Sequence, residues 1–303
     1  MKGTMREQGL HARKAGIQVP YSEGRDYPKT RIPANACDSH HHIYDPVNYA
    51  YQPTDTRNQP PSTVECYQML QERLGITRSV VVQPSAYGAD NRCTLAALEK
   101  MGKDRTRAVI VTDDSVSDRE LRKMDQMGVR GIRFNICCGG SDNQDMIRRL
   151  AERIAPMNWS ICFWMSPMLT VSMEKFLREL PCEIVFDHRG HIPASHGVSH
   201  EGFKVIAQML RDHAAWVKLS GLYIDSDCDD YADTIEVGRA YVKANPDRVI
   251  WGTDWPHPSC YSNRRPMPND AKMLDDLMLQ TETEENFRKA LVDNPEKLFG
   301  FGR

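Results

Sequence analysis

Four residues of this 303-residue chain carry side chains suited to joint acid–base or metal chemistry: His40, His42, His188 and Asp254. An imidazole that titrates near neutrality beside a carboxylate moves protons, polarises a carbonyl or ligates a divalent ion. The setting of each residue matters more than its type. His40 and His42 fall in DSHHH at 38–42, His188 in FDHRGH at 186–191, and Asp254 in RVIWGTDWPHP at 248–258. The apolar run before Gly252 reads as a short buried strand, and Pro256 and Pro258 forbid its continuation, which places Asp254 at a strand mouth. Alone, Asp254 is as readily an ordinary turn cap. In extended backbone His40 and His42 point to one side and His41 to the other. With His188 and Asp254 at two further strand ends, the four read as one active site.

The elements that must position them alternate along the chain. Short β-rich runs at 34–40, 78–85, 107–113, 129–135, 159–165, 183–188, 215–220 and 248–254 are separated by amphipathic stretches. Those stretches lie at 64–74, 94–101, 118–127, 145–157, 173–180, 204–213, 231–244 and 271–279. Leu95, Leu98 and Met101, like Met146, Leu150 and Ile154, recur at helical spacing and give one apolar face each. This pattern predicts a single (β/α)8 TIM-type barrel at 34–303, with an open doubly wound sheet as the alternative. Residues 1–33, with Pro20, Pro28 and Pro33 and little apolar periodicity, are expected to form an extended arm on the surface or on a partner subunit. That arm leaves a homo-oligomer open.

Composition narrows the class. With 39 basic and 41 acidic side chains the formal charge is -2, which gives no support for nucleic acid or an anionic membrane as partner. No run approaches the ~18 apolar residues of a membrane span, and residues 1–33 lack the apolar core of a secretory signal. Nine cysteines without a C-x-x-C pair fit reduced thiols and a cytoplasmic location. Cys137 and Cys138 are expected to be small buried hydrophobes rather than nucleophiles. No glycine pattern for nucleotide phosphates follows an early strand.

His40-x-His42 after a first strand, FDHRGH at 186–191, WGTDWPHP at 251–258, GVRGIRFN at 128–135 and DNPEKLFG at 293–300 together resemble the amidohydrolase superfamily. The likeness runs from 32 to 299 and is nearest to a branch of lactonases and lactone isomerases acting on pyrone dicarboxylate, sulfomuconolactone and galactarolactone. It implies a distorted barrel with its site at the carboxyl-terminal mouth. It also implies water attack on a ring ester, with Asp254 as general base and His40, His42 and His188 polarising the carbonyl.

Departures from the family are informative. Binuclear members carry a bridging ligand on the fourth strand and a histidine on the fifth; here Arg133 and Asn135 occupy the fourth, Trp164 and Met165 the fifth. A two-metal site is therefore not expected. Metal-free catalysis is preferred, with a single Zn or Mn on His40, His42, His188 and Asp254 as the alternative. Arg133 matches the first of the arginines that grip substrate carboxylates in the pyrone-dicarboxylate branch. Gly139 stands at the second arginine's position, and the third falls near Tyr223 and Ile224. A tyrosine contact falls near Arg57 and Asn58. A small anionic lactone is thus the expected substrate, with Arg133, Ser85, Trp164, Arg57 and Tyr223 as its contacts. The alternatives are a mononuclear metal hydrolase, a non-oxidative decarboxylase of an aromatic-degradation intermediate, a lactone isomerase, or a barrel that only binds its ligand.

Overall fold

Eight parallel strands follow one another in sequence order around a barrel: β1 (Cys37–His41), β2 (Arg78–Val82), β3 (Thr106–Ile110), β4 (Val129–Asn135), β5 (Ser160–Trp164), β6 (Glu183–Phe186), β7 (Trp216–Leu219) and β8 (Val249–Trp251). The computed structural model describes residues 16–302; residues 1–15 of the expected arm lie outside them. The strands are short and buried on both faces, and apart from β1 they are largely apolar, as parallel strands under a helical layer are. Inward go Val80, Val82, Val109, Cys162, Val185, Trp216 and Ile250. Outward go Val81, Ile110, Ile132, Phe134, Ile161, Phe163 and Val217, which form the core beneath the helices.

Those helices are α1 (Val64–Leu74), α2 (Arg92–Met101), α3 (Asp118–Met127), α4 (Gln144–Ile154), α5 (Pro167–Arg178), α6 (Glu201–Arg211), the short α7 (Leu222–Asp225), α8 (Ile235–Ala244), α9 (Pro258–Ser262) and α10 (Asp270–Thr281). The helix expected at 173–180 begins six residues earlier. Ser166 caps it, accepting from Leu169 N at 3.3 Å, and Pro167 occupies the first turn, where a missing N–H costs nothing.

The seam between β8 and β1 carries no regular ladder among the described residues, and specific bonds close it. Asp254 N donates to His40 O and His42 N to Trp255 O, each at 2.8 Å. The Asp38 carboxylate staples the same seam, accepting from Thr253 N at 3.0 Å, Thr253 Oγ1 at 2.6 Å and Tyr67 Oη at 2.9 Å. Gly252 is required here, because a Cβ would stand 2.6 Å from the His40 backbone nitrogen. An irregular register between Asp38 and His41 turns β1 by an extra residue. His41 therefore joins Asp38 on the outer side, stacked on Tyr67 at 3.5 Å, while His40 and His42 face inward.

The described part of the arm lies against its own barrel. Trp255 Nε1 donates to Pro20 O at 2.8 Å, Tyr21 Oη to Pro61 O at 2.9 Å, and Arg73 Nη1 to Gly24 O at 2.9 Å. Among the described residues no helix is long and apolar enough to cross a membrane.

Candidate active site

At the carboxyl ends of β1, β6 and β8 the three expected histidines converge on one carboxylate oxygen. Asp254 Oδ1 lies 3.3 Å from His42 Nε2, 3.5 Å from His40 Nε2 and 3.8 Å from His188 Nε2. The two nitrogens of His40 and His42 are 3.3 Å apart. All four residues are buried. His42, His188 and Asp254 line a cavity of about 140 Å³, together with Ser85, Arg57, Arg133 and Trp164. His40 lies beneath them. Cys137 is exposed, in contrast to the buried role expected of it.

Below the cavity is a charged layer that sequence reasoning did not assign. Asp187, fully buried at the end of β6, pairs its Oδ2 with Arg133 Nε at 2.8 Å and its Oδ1 with Lys218 Nζ at 2.9 Å. Lys218 projects inward from β7 and also lies 3.2 Å from His40 Nδ1. Both residues were visible at strand ends, Asp187 directly before His188. Burying a lysine on a parallel strand is costly without a counter-charge, and that cost was the available signal.

Hydrogen-bond chemistry assigns the protons. His42 Nδ1 is 2.7 Å from the Val82 carbonyl, which only accepts, so neutral His42 keeps a bare Nε2. Accepting from the Lys218 ammonium, His40 Nδ1 leaves Nε2 to donate toward His42; donating instead to Asp187 Oδ1, 3.4 Å away, it leaves Nε2 bare. His188 Nδ1 meets Ser220 Oγ at 3.0 Å. Burial, then the Lys218 charge, push His40 well below its ordinary value. Burial brings His188 down to about 4. For Asp254, burial alone would raise the pKa, but the histidines, His188 first, hold it well below the usual carboxylate range. Asp187 is held low in the same way by Lys218 and then Arg133, against the effect of burial. Near neutrality His40 and His188 are thus neutral and Asp254 is ionised.

The same donors fit one divalent ion. Ligands about 2.0–2.2 Å from a tetrahedral Zn lie roughly 3.3–3.5 Å apart, and His40, His42 and Asp254 show that spacing. Asp254 Oδ1 also accepts no hydrogen bond of good geometry among the described residues. For His40 to ligate through Nε2, however, its proton must move to Nδ1, facing Lys218.

The expected substrate contacts are placed unevenly. Ser85 follows β2 at the cavity wall. Trp164 stands edge-on to His188 at 5.9 Å, and the Arg133 guanidinium lies 5.2 Å over its ring. Arg57 reaches the rim while paired with Asp55 at 2.6 Å. Tyr223 does not line the cavity; its hydroxyl donates to Asp254 Oδ2. A tyrosine on the turn after β7 reaches the β8 carboxylate because Gly221, at φ +62°, turns the chain back over the barrel.

Together these features describe a (β/α)8 barrel with an acid–base site at its carboxyl-terminal mouth, the usual place for catalysis in this fold. Residues 37–301 match the Amidohydrolase family, and the chain belongs to it. It is 33% identical over 287 residues to the 2-pyrone-4,6-dicarboxylate hydrolase of Comamonas testosteroni, covering 90% of this chain and 92% of that one. Its identity to the 4-sulfomuconolactone hydrolase of Hydrogenophaga intermedia is 33% over 274 residues, with 89% and 90% covered. An apo crystal structure from Agrobacterium tumefaciens superposes with a TM-score of 0.82 at 26% identity, covering 92% of this chain and 98% of the other.

Proposed function

We propose that this protein hydrolyses the ring ester of a small anionic lactone. The observation that carries the reading is the convergence of three imidazoles on Asp254 Oδ1 in a cavity walled by Arg133. Asp254 Oδ1 takes a proton from water, and the resulting hydroxide adds to the lactone carbonyl. His188 stabilises the developing oxyanion through an N–H at Nε2, in the tautomer whose Nδ1 accepts from Ser220 Oγ, 3.0 Å away. The chain from Lys218 through His40 to His42 supplies positive potential behind the carboxylate. Breakdown of the tetrahedral intermediate cleaves the ring C–O bond, and the proton held by Asp254 passes to the leaving alkoxide. Arg133 binds the acid group. The relatives' substrates, pyrone dicarboxylate and sulfomuconolactone, are anionic lactones and support this assignment.

The donor spacing also favours a second reading, in which His40, His42 and Asp254, three of the four residues the sequence suggested, hold one Zn- or Mn-class ion. Such an ion would polarise the carbonyl as a Lewis acid. Lys218 beside His40 Nδ1 weighs toward the metal-free form.

The test is turnover of a panel of lactones with and without an acid group. Arg133→Met should cost roughly ten- to hundredfold in kcat/KM on the anionic members and little on neutral ones. Equal losses on both would remove Arg133 from substrate binding; isomerised rather than ring-opened product would replace hydrolysis with isomerisation.

A further inference from the structure

The wall formed by Ser85 and Arg133 has a second side. These two residues also line an adjoining chamber of about 360 Å³, bounded by Thr112, Asp113, Asn135 and Gly139. Asn135 is the last residue of β4, two after Arg133, so both side chains rise from the same face of the strand. It is only 6% exposed, yet neither its Oδ1 nor its Nδ2 has a hydrogen-bond partner among the described residues. A buried amide left unpaired is costly, and such groups in native proteins call for an explanation. The loop that follows keeps the chamber open. Gly139, at φ +81°, would meet nothing within 4 Å if it bore a Cβ.

The chamber's charge argues for its occupant. The charged side chains on its lining are Arg133 and Asp113. Arg133 shares Asp187 with Lys218 and is committed to the acid group in the first cavity, and Asp113 is kept ionised by the Ser115 hydroxyl and by Ser115 N at 2.9 Å. A second acid group placed here would face a carboxylate without gaining a free cation. A purely apolar arm would leave both polar atoms of Asn135 buried and unpaired. A hydroxyl satisfies both, since it donates to Oδ1 and accepts from Nδ2.

We propose that the substrate pocket continues past Ser85 and Arg133 into this chamber, and that Asn135 there binds a neutral, hydroxyl-bearing arm of the substrate rather than a second acid group. The proposal rests on the lactone reading of the site and narrows it to hydroxylated lactones with one acid group.

The probes are three carbocyclic ketones that mimic lactones but lack the ester bond: one with a single carboxymethyl arm, one with an added vicinal diol, and one with an added carboxylate. Calorimetry should show the diol bound about tenfold more tightly than the parent by the wild-type protein, as one satisfied buried hydrogen bond implies. The diacid should bind no better than the parent. Asn135→Leu should erase the preference for the diol and leave the parent's Kd unchanged. Because the Asn135 side chain has no hydrogen-bond partner among the described residues, the same substitution should leave Tm unchanged or raise it; Asn135→Ala serves if the leucine variant does not fold. Equal affinity for diol and parent, tighter binding of the diacid, or a uniform loss on all three would overturn the proposal, as would absence of binding to the wild type. Turnover of the matching lactones separates the two readings. A diol preference without ring opening would sink only the hydrolytic assignment, whereas ring opening indifferent to Asn135 would sink only the chamber.

Discussion

The two ends of the barrel interior are built from the same eight strands, and they treat polarity in opposite ways. At the amino-terminal end, Val80, Val109, Val185, Trp216 and Ile250 pack against Leu298, Phe299 and Phe301 from the end of the chain. Arg107, one of the cations there, donates to the carbonyls of Phe299 at 3.1 Å and Gly300 at 2.8 Å and lies 4.6 Å over the Phe301 ring. At the carboxyl-terminal end Asp187 is ion-paired with Arg133 and Lys218, but Asp254 Oδ1, His42 and His188 turn their capacity toward the cavity. The contrast shows where stability has been given up for chemistry. It also divides the upper end into two layers, a charged floor of one carboxylate and two cations and a layer above it that faces the cavity.

The largest effect should come from the layer that faces the cavity. Asp254→Asn keeps the size of the side chain and its bond from Tyr223, and removes the proton acceptor. General base catalysis is worth roughly 10²–10⁴-fold, so kcat should fall by about that factor while Tm changes little. Retention of more than about a tenth of wild-type kcat in a folded variant would show that the two layers have been assigned wrongly.

The floor should respond in the reverse sense. Lys218→Met preserves much of the side chain's volume but strips Asp187 of one of its cations, and breaking a buried pair of this kind costs about 3 kcal/mol or more. Denaturant midpoints should record that loss with the m value unchanged. The same substitution frees His40 Nδ1 to donate to Asp187 Oδ1, 3.4 Å away, which leaves Nε2 bare for a cation. Zinc bound by the purified variant should therefore exceed that of the wild type, whose activity should survive chelation. Activity of the wild type that is lost on chelation and restored by Zn or Mn would favour the ion-holding reading instead.

Much of this division was legible in the sequence. The alternation of apolar runs predicted the barrel, and the positions of His40, His42, His188 and Asp254 at strand ends predicted their meeting. The floor was harder to read because pairing between Asp187 and Lys218 is a matter of register: β6 and β7 align Phe186 with Val217, which brings the next residues together. Nothing local to FDH or VKL specifies that alignment. His41 illustrates the same limit. Strict alternation separated it from His40 and His42, but the register irregularity that also sets Asp38 on its side is a property of the β1–β2 pair. The start of α5 was missed because Pro167 reads as a breaker unless its place in the first turn is known.

The smallest effect, and the finest test of the layering, concerns Tyr223. It was expected to touch substrate, yet its hydroxyl sits on Asp254 Oδ2, the oxygen turned away from the histidines. A donor there stabilises the carboxylate form and fixes the plane that presents Oδ1 to the cavity. Tyr223→Phe removes both influences while keeping the ring against His257, 5.3 Å away. A roughly tenfold fall in kcat follows if one charge-assisted hydrogen bond of about 1.5 kcal/mol is lost. The sign of the pH effect is also fixed. In the wild type Asp254 is held well below 3.8 and His188 at about 4, so the acid limb of kcat/KM belongs to this coupled pair and lies at or below about pH 4. Losing the donor disfavours the charged form of Asp254, so the limb should move to higher pH in the variant. His188 also titrates in the unfolded chain at its ordinary 6.5, so wild-type stability should decline as pH falls from there through about 4. That decline should be shared by both proteins, since Tyr223 does not contribute to it. If the variant loses stability but its acid limb stays put, Tyr223 only packs the mouth. A rise in KM confined to anionic lactones, with the limb unmoved, would return Tyr223 to the substrate contacts that the sequence suggested.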